Sequence, residues 1–185
     1  MNNHTNNEVL LIIDMQNDAM NMVPTGKEII PTIQTVLEYT RKKGMPVVHK
    51  NRIQRASGVD VEVFRKEIFA KTPFLVEGTE GAKSVAPLAP KEDETVVKGT
   101  RFSGFFQTDL HLVLTGLQAK TLVMTGIQTP NCIRATVTDA IAYNYEVILL
   151  EDAISAQTPE IHQANLLDMK NMGVTIMSTQ EYLMR

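Results

Sequence analysis

The chain has 185 residues, with 18 Lys and Arg against 21 Asp and Glu, a net charge of −3, and 43% hydrophobic residues. That is the length of one domain with enough apolar material for a full core, and the mild charge without a basic block argues against nucleic acid or an anionic membrane as partner. One cysteine, a polar start (MNNHTNNE) with no signal-peptide pattern and no apolar run of about 20 residues read as a cytoplasmic protein without a membrane span.

Residues 1–7 read as a short frayed tail. EVLLIID (8–14) is a continuous apolar run ending in an acid, the pattern of a strand buried on both faces. From about Lys27 to Lys43, Ile29, Ile30, Ile33, Val36 and Leu37 recur at helical spacing, and Gly44 stops the helix. MPVVHK (45–50) is a second strand. Between Asn51 and Lys91 the pattern is irregular, with a short amphipathic piece at Val61–Phe69. So long an excursion suits an insertion over a functional site better than an idle loop.

ETVVK (94–98) is a third strand, followed by the aromatic turn GTRFSGFF and a helix over 107–117. TLVMTG (121–126), a helix over 131–144, EVILLED (146–152), a helix from Pro159 to Met172, VTIM (174–177) and a short terminal helix complete the order. Strands written as solid apolar runs and alternating with helices predict one α/β domain over 1–185. It is a three-layer α/β/α, Rossmann-like fold with a mainly parallel six-stranded sheet.

Three strands end in chemistry: the first at Asp14, the third at Lys98, and the fourth leads into the only cysteine, Cys132. Ligands of open parallel sheets bind outside the carboxyl ends of the strands, so an acid, an amine and a thiol are expected in one crevice. Each has a bland reading alone. Asp14 is a turn acid, Lys98 a solvated lysine, Cys132 a small core residue. Together they form a nucleophile with a base and a cation, and the first turn of a helix favours the ionised thiol.

IIDMQNDAM (12–20), VVKGTRFSGFFQTDL (96–110) and TGIQTPNCIRAT (125–136) resemble, in order and spacing, the three motifs of the isochorismatase-like cysteine hydrolases. The resemblance implies Cys132 as nucleophile, Asp14 as general base and Lys98 as the cation between them. It also implies a cis peptide at Ile127–Gln128, with the Gln128 and Cys132 amides as oxyanion hole. Gln16, Arg101, Phe102 and Phe106 are the expected substrate contacts, with at least one of Phe102, Phe105 and Phe106 packed in the core. A homo-oligomer, dimer or tetramer, is expected on the same ground.

The chain departs from the family at the D-x-H motif and second histidine that give nicotinamidases a metal. VVHKNRIQRASGVD offers only His49 and Asp60, so no metal or other cofactor is expected. The cysteine favours C–N hydrolysis of a small amide, carbamoyl or ureido substrate through a thioester. An isochorismatase-type hydrolase of another small substrate, a non-catalytic binding module and a redox-sensing thiol are the rival readings.

Overall fold

The computed structural model describes residues 7–185, so the expected tail, apart from Asn7, lies outside the described residues. Strand β1 (Glu8–Ile13) is buried along its whole length. Its side chains alternate between two cores, as a period of two requires. Val9, Leu11 and Ile13 join one cluster, while Leu10 and Ile12 join the other. Each of these apolar side chains contributes about 1.5–3 kcal/mol by leaving water.

A short helix α1 (Asn17–Met22), unforeseen in the sequence, follows β1 directly. Helix α2 (Ile30–Lys42) packs Ile33, Val36 and Leu37 on the Leu10/Ile12 face. It begins at Ile30, later than expected, because 24–27 form a separate 3-10 turn. Strand β2 (Val47–Arg52) follows, and the excursion holds a small helix α3 (Lys66–Lys71). Val61, Phe69, Phe74 and Leu75 give the excursion a small core of its own. Strand β3 (Thr95–Gly99), helix α4 (Leu110–Gly116) and strand β4 (Thr121–Ile127) come next.

After β4 the chain makes a π-helical turn, Thr129–Ile133, that runs on into α5 (Arg134–Ala142). Strand β5 (Glu146–Ser155), helix α6 (Pro159–Asn171), strand β6 (Thr175–Met177) and helix α7 (Thr179–Leu183) close the chain. The sheet order is β3-β2-β1-β4-β5-β6, and every pairing is parallel. Residues of α4, α5 and α6 share the core on one face, and α2 and α7 the core on the other, giving the three layers. The order reverses at β1, so a crevice opens between the carboxyl ends of β1 and β4. No helix among the described residues is long and apolar enough to cross a membrane.

Gly126 is the one glycine this junction cannot replace. Its φ is +114°, and an added Cβ would lie 2.1 Å from the Ile13 carbonyl oxygen of the neighbouring strand.

Candidate active site

Asp14, the first residue past β1, sits in the left-handed region at φ 54°, a conformation Asp tolerates and that recurs at functional sites. Its carboxylate accepts a hydrogen bond from Lys50 Nζ at 2.9 Å, and its backbone N–H bonds the Lys50 carbonyl at 2.8 Å. Lys50 is wholly buried, and its ammonium also donates to the Arg101 carbonyl at 3.2 Å.

Cys132 lies in the π-helical turn, 7% exposed. Its thiol is pushed up to about 12. Burial is the main cause and the Asp14 charge the next, with Lys50 and Arg52 opposing both. This corrects the expectation of a helix-stabilised thiolate. The partial charge of a helix end is smaller than the combined effect of desolvation and a full carboxylate at contact. At rest Cys132 is a thiol sharing its cleft with the Asp14 carboxylate.

Lys98, the expected third member, is not at the site. Strand alternation decides this. Val97 joins the core on the Cys132 face, whereas Val96 and Lys98 are exposed. The Lys98 ammonium pairs with Glu77 at 2.7 Å, and its side chain is 59% exposed. On β3 the residue that faces the site is Gly99. A Cβ added there would meet Thr108 Cγ2 at 2.9 Å and Lys50 Cε at 3.6 Å. Lys50, on the neighbouring strand, fills the space above Gly99 and supplies the buried ammonium that the sequence reading placed on Lys98. A lysine at the carboxyl end of an interior strand is itself a signal, since both strand faces there are covered.

Arg52 lies two residues further along, on the same face of β2. It is 3% exposed, and its Nη2 approaches the Cys132 sulfur at 3.6 Å. Arg52 and Arg65 stack on the Phe102 ring at 4.9 and 5.2 Å. The cleft between these groups has a volume of about 40 Å³. That is room for about three waters. Arg65 and Leu75 of the excursion line it, with Ile127, Gln128 and Cys132 opposite. A larger cleft of about 870 Å³ lies at the amino end of the sheet beside Glu8 and Lys120, but it holds no cysteine.

The expected substrate contacts divide. Gln16 is fully buried and committed to backbone, donating to the Arg52 and Ala82 carbonyls at 2.8 and 2.7 Å and accepting from Arg52 N–H at 2.8 Å. It ties β2 and the excursion to β1 and is not free for a ligand. The Arg101 guanidinium donates to the Asp60 carbonyl at 2.5 Å, and only its own carbonyl reaches the site, through Lys50. Phe106 is half exposed and outside the cleft lining. Phe102 acts from behind, as the floor under the two arginines. Phe105 packs in the core beside Tyr143 and Tyr145. The Ile127–Gln128 bond is cis, and Gln128 lines the cleft.

The residues left at the family's metal position do not fit a metal. His49 lies on the opposite face of β2, bonded to Glu94 at 2.9 Å, with its pKa lowered chiefly by burial. The Asp60 carboxylate is taken by Arg55 at 2.9 Å. Arg134, two residues past Cys132, pairs with Asp168 of α6.

A family model described as Isochorismatase domain matches residues 8–181. A protein of Arabidopsis thaliana named "Probable inactive nicotinamidase" is 44% identical, covering 95% of this chain and 94% of its own length. An N-carbamoylsarcosine amidase from an Arthrobacter species is 33% identical over 84% of this chain and 60% of its own. The crystal structure of an isochorismatase family protein from Desulfovibrio vulgaris superposes with a TM-score of 0.91 at 39% identity, covering 97% of this chain and 99% of that one.

Proposed function

The chain belongs to the isochorismatase family of hydrolases, and on that premise we propose that it is a metal-independent cysteine hydrolase. Its substrate is a small amide, carbamoyl or ureido compound, whose C–N bond it cleaves through a thioester. The observation that carries this reading is the buried Asp14 carboxylate, held by the Lys50 ammonium and lining one cleft with Cys132.

Asp14 takes the thiol proton as Cys132 Sγ attacks the carbonyl carbon, so no free thiolate need accumulate in a site that disfavours it. The Gln128 and Cys132 backbone N–H groups receive the developing oxyanion. Loss of one such donor typically costs about 10²–10³ in rate. The C–N bond breaks as Asp14 returns its proton to the departing ammonia or amine. Asp14 then deprotonates a water that displaces the thiol from the thioester. Lys50 keeps the carboxylate oriented and compensates its charge through both halves of the cycle.

The name of the Arabidopsis relative supports a second reading, a non-catalytic binding member of the fold, and the two separate cleanly. A panel of small amides and ureides is followed by ammonia release. The hydrolase reading expects turnover by the native protein and none by Cys132→Ala or Asp14→Asn. A native protein that binds these compounds without releasing ammonia supports the binding module. On the same family premise we propose a homo-oligomer, which sedimentation tests. Val63, Phe64 and Ile68, exposed on the excursion, offer apolar surface for it.

A further inference from the structure

We infer that Arg52 and Arg65 form a receptor for a carboxylate carried by the substrate, so that the natural ligand is a small acid whose amide, carbamoyl or ureido group lies over Cys132. This rests on the hydrolase reading for what is cleaved, but the receptor stands on its own geometry.

The first ground is charge balance. Arg52 and Arg65 line the cleft and Lys50 holds Asp14 at it, all three with side chains no more than 13% exposed, and the carboxylates paired with them are only two, Asp14 and Glu62. The thiol adds no charge, being held protonated. Three buried cations facing two anions leave one positive charge uncompensated in a dry place, which is costly until an anion enters.

The second ground is unused donors. Both guanidiniums lean on the same Glu62 oxygen, Arg52 at 2.7 Å and Arg65 at 3.4 Å, and the other Glu62 oxygen has no partner among the described residues. The Arg65 guanidinium makes no further hydrogen bond among the described residues, although it carries five N–H donors. Both guanidiniums lie over Phe102, and their planar forks suit a planar carboxylate better than a lysine would. Burial and the nearby Arg52 both lower the pKa of Arg65, and a bound anion relieves both effects.

The third ground is placement. Arg52 touches the Cys132 sulfur, and Arg65 lines the same cleft at the excursion's edge. A carboxylate on Arg65 and the outer edge of Arg52 leaves only a few atoms between it and the nucleophile. A short acid fits, and a neutral ring amide gains nothing from the pair.

The test is equilibrium binding to Cys132→Ala at neutral pH, which removes turnover and leaves the receptor intact. The probes are two matched pairs, acetate with acetamide and ureidoacetate with ureidoacetamide. Each acid is expected to bind about 10- to 100-fold tighter than its neutral partner, the scale of a charge-assisted pair. Adding Arg65→Gln should bring each pair to near parity while the melting temperature and circular dichroism show a folded protein. Arg65→Lys should restore part of the preference. Parity in Cys132→Ala, absence of acid binding at millimolar concentration, or a preference that survives Arg65→Gln would overturn the receptor. Ammonia release by the native protein from neutral amides without acid preference sinks the receptor and leaves the hydrolase. Acid preference without turnover of any probe does the reverse.

Discussion

Cys132 and Asp14 are matched in a way that fixes how the thiol behaves before substrate arrives. With the thiol pushed up to about 12, the native protein is expected to react slowly with iodoacetamide at neutral pH, and faster as pH rises. Asp14→Asn removes the second-largest cause of that elevation, so its thiol should alkylate faster than the native one at pH 8 while turnover is lost. Mass spectrometry of the Cys132 peptide over a pH series reads both effects. Equal alkylation rates in the two proteins would mean that the carboxylate does not bear on the thiol. Lys50 behaves differently. Its removal leaves the buried Asp14 carboxylate without its hydrogen-bonded ammonium, so Lys50→Met is expected to cost about 3–5 kcal/mol of stability. Lys98→Ala, which severs an exposed pair, should cost less than about 1 kcal/mol. Chemical denaturation of the two variants tests the difference.

At the scale of elements, β2 carries the site on one face and a structural network on the other. Lys50 and Arg52 look toward Cys132, while His49 looks toward α2 and bonds Glu94. Burial of Glu94 works to raise its pKa from 4.5. The Arg41 guanidinium, the Lys91 N–H and the His49 ring outweigh that and hold it at about 2. A carboxylate depressed in the folded state stabilises above its unfolded pKa and loses that contribution as pH falls through its folded one. Glu94→Gln should therefore melt below the native protein at pH 7, and the gap should narrow from about pH 4.5 toward 2. A constant gap would show that the charge of Glu94 is not what binds α2 to the sheet.

The same strands show what a sequence reveals and what it hides. All six were located by a short apolar run, although β2 continues past Lys50 through Asn51 to Arg52, and Asp14 and Cys132 followed from where two of them end. The cation did not, because its place depends on side-chain parity. Lys98 ends β3 as Asp14 ends β1, but a strand's faces alternate, and a displacement of one residue from Gly99 turns a site lysine into a surface lysine. Parity could be read from Val97, the buried member of the pair, only once a core had been assigned to one face. Gln16 and Arg101 misled for a related reason. Polar residues beside a crevice are also what ties its walls together.

At the scale of the whole molecule, the order β3-β2-β1-β4-β5-β6 brings three strand ends to one crevice and lets the excursion reach it with Arg65 and Leu75. The third strand end in that crevice is β2 in place of β3. The lysine thus enters the crevice from β2, with Gly99 of β3 leaving room for it, and β2 and β3 pair in register at Asn51–Lys98 and Arg52–Gly99. The chemistry proposed for Cys132 depends on that placement. Its most direct test is ammonia release from small amides and ureides by four proteins under one set of conditions. Native protein and Lys98→Ala are expected to turn over alike, and Lys50→Met and Cys132→Ala not to turn over. Activity that survives in Lys50→Met but disappears in Lys98→Ala would contradict it.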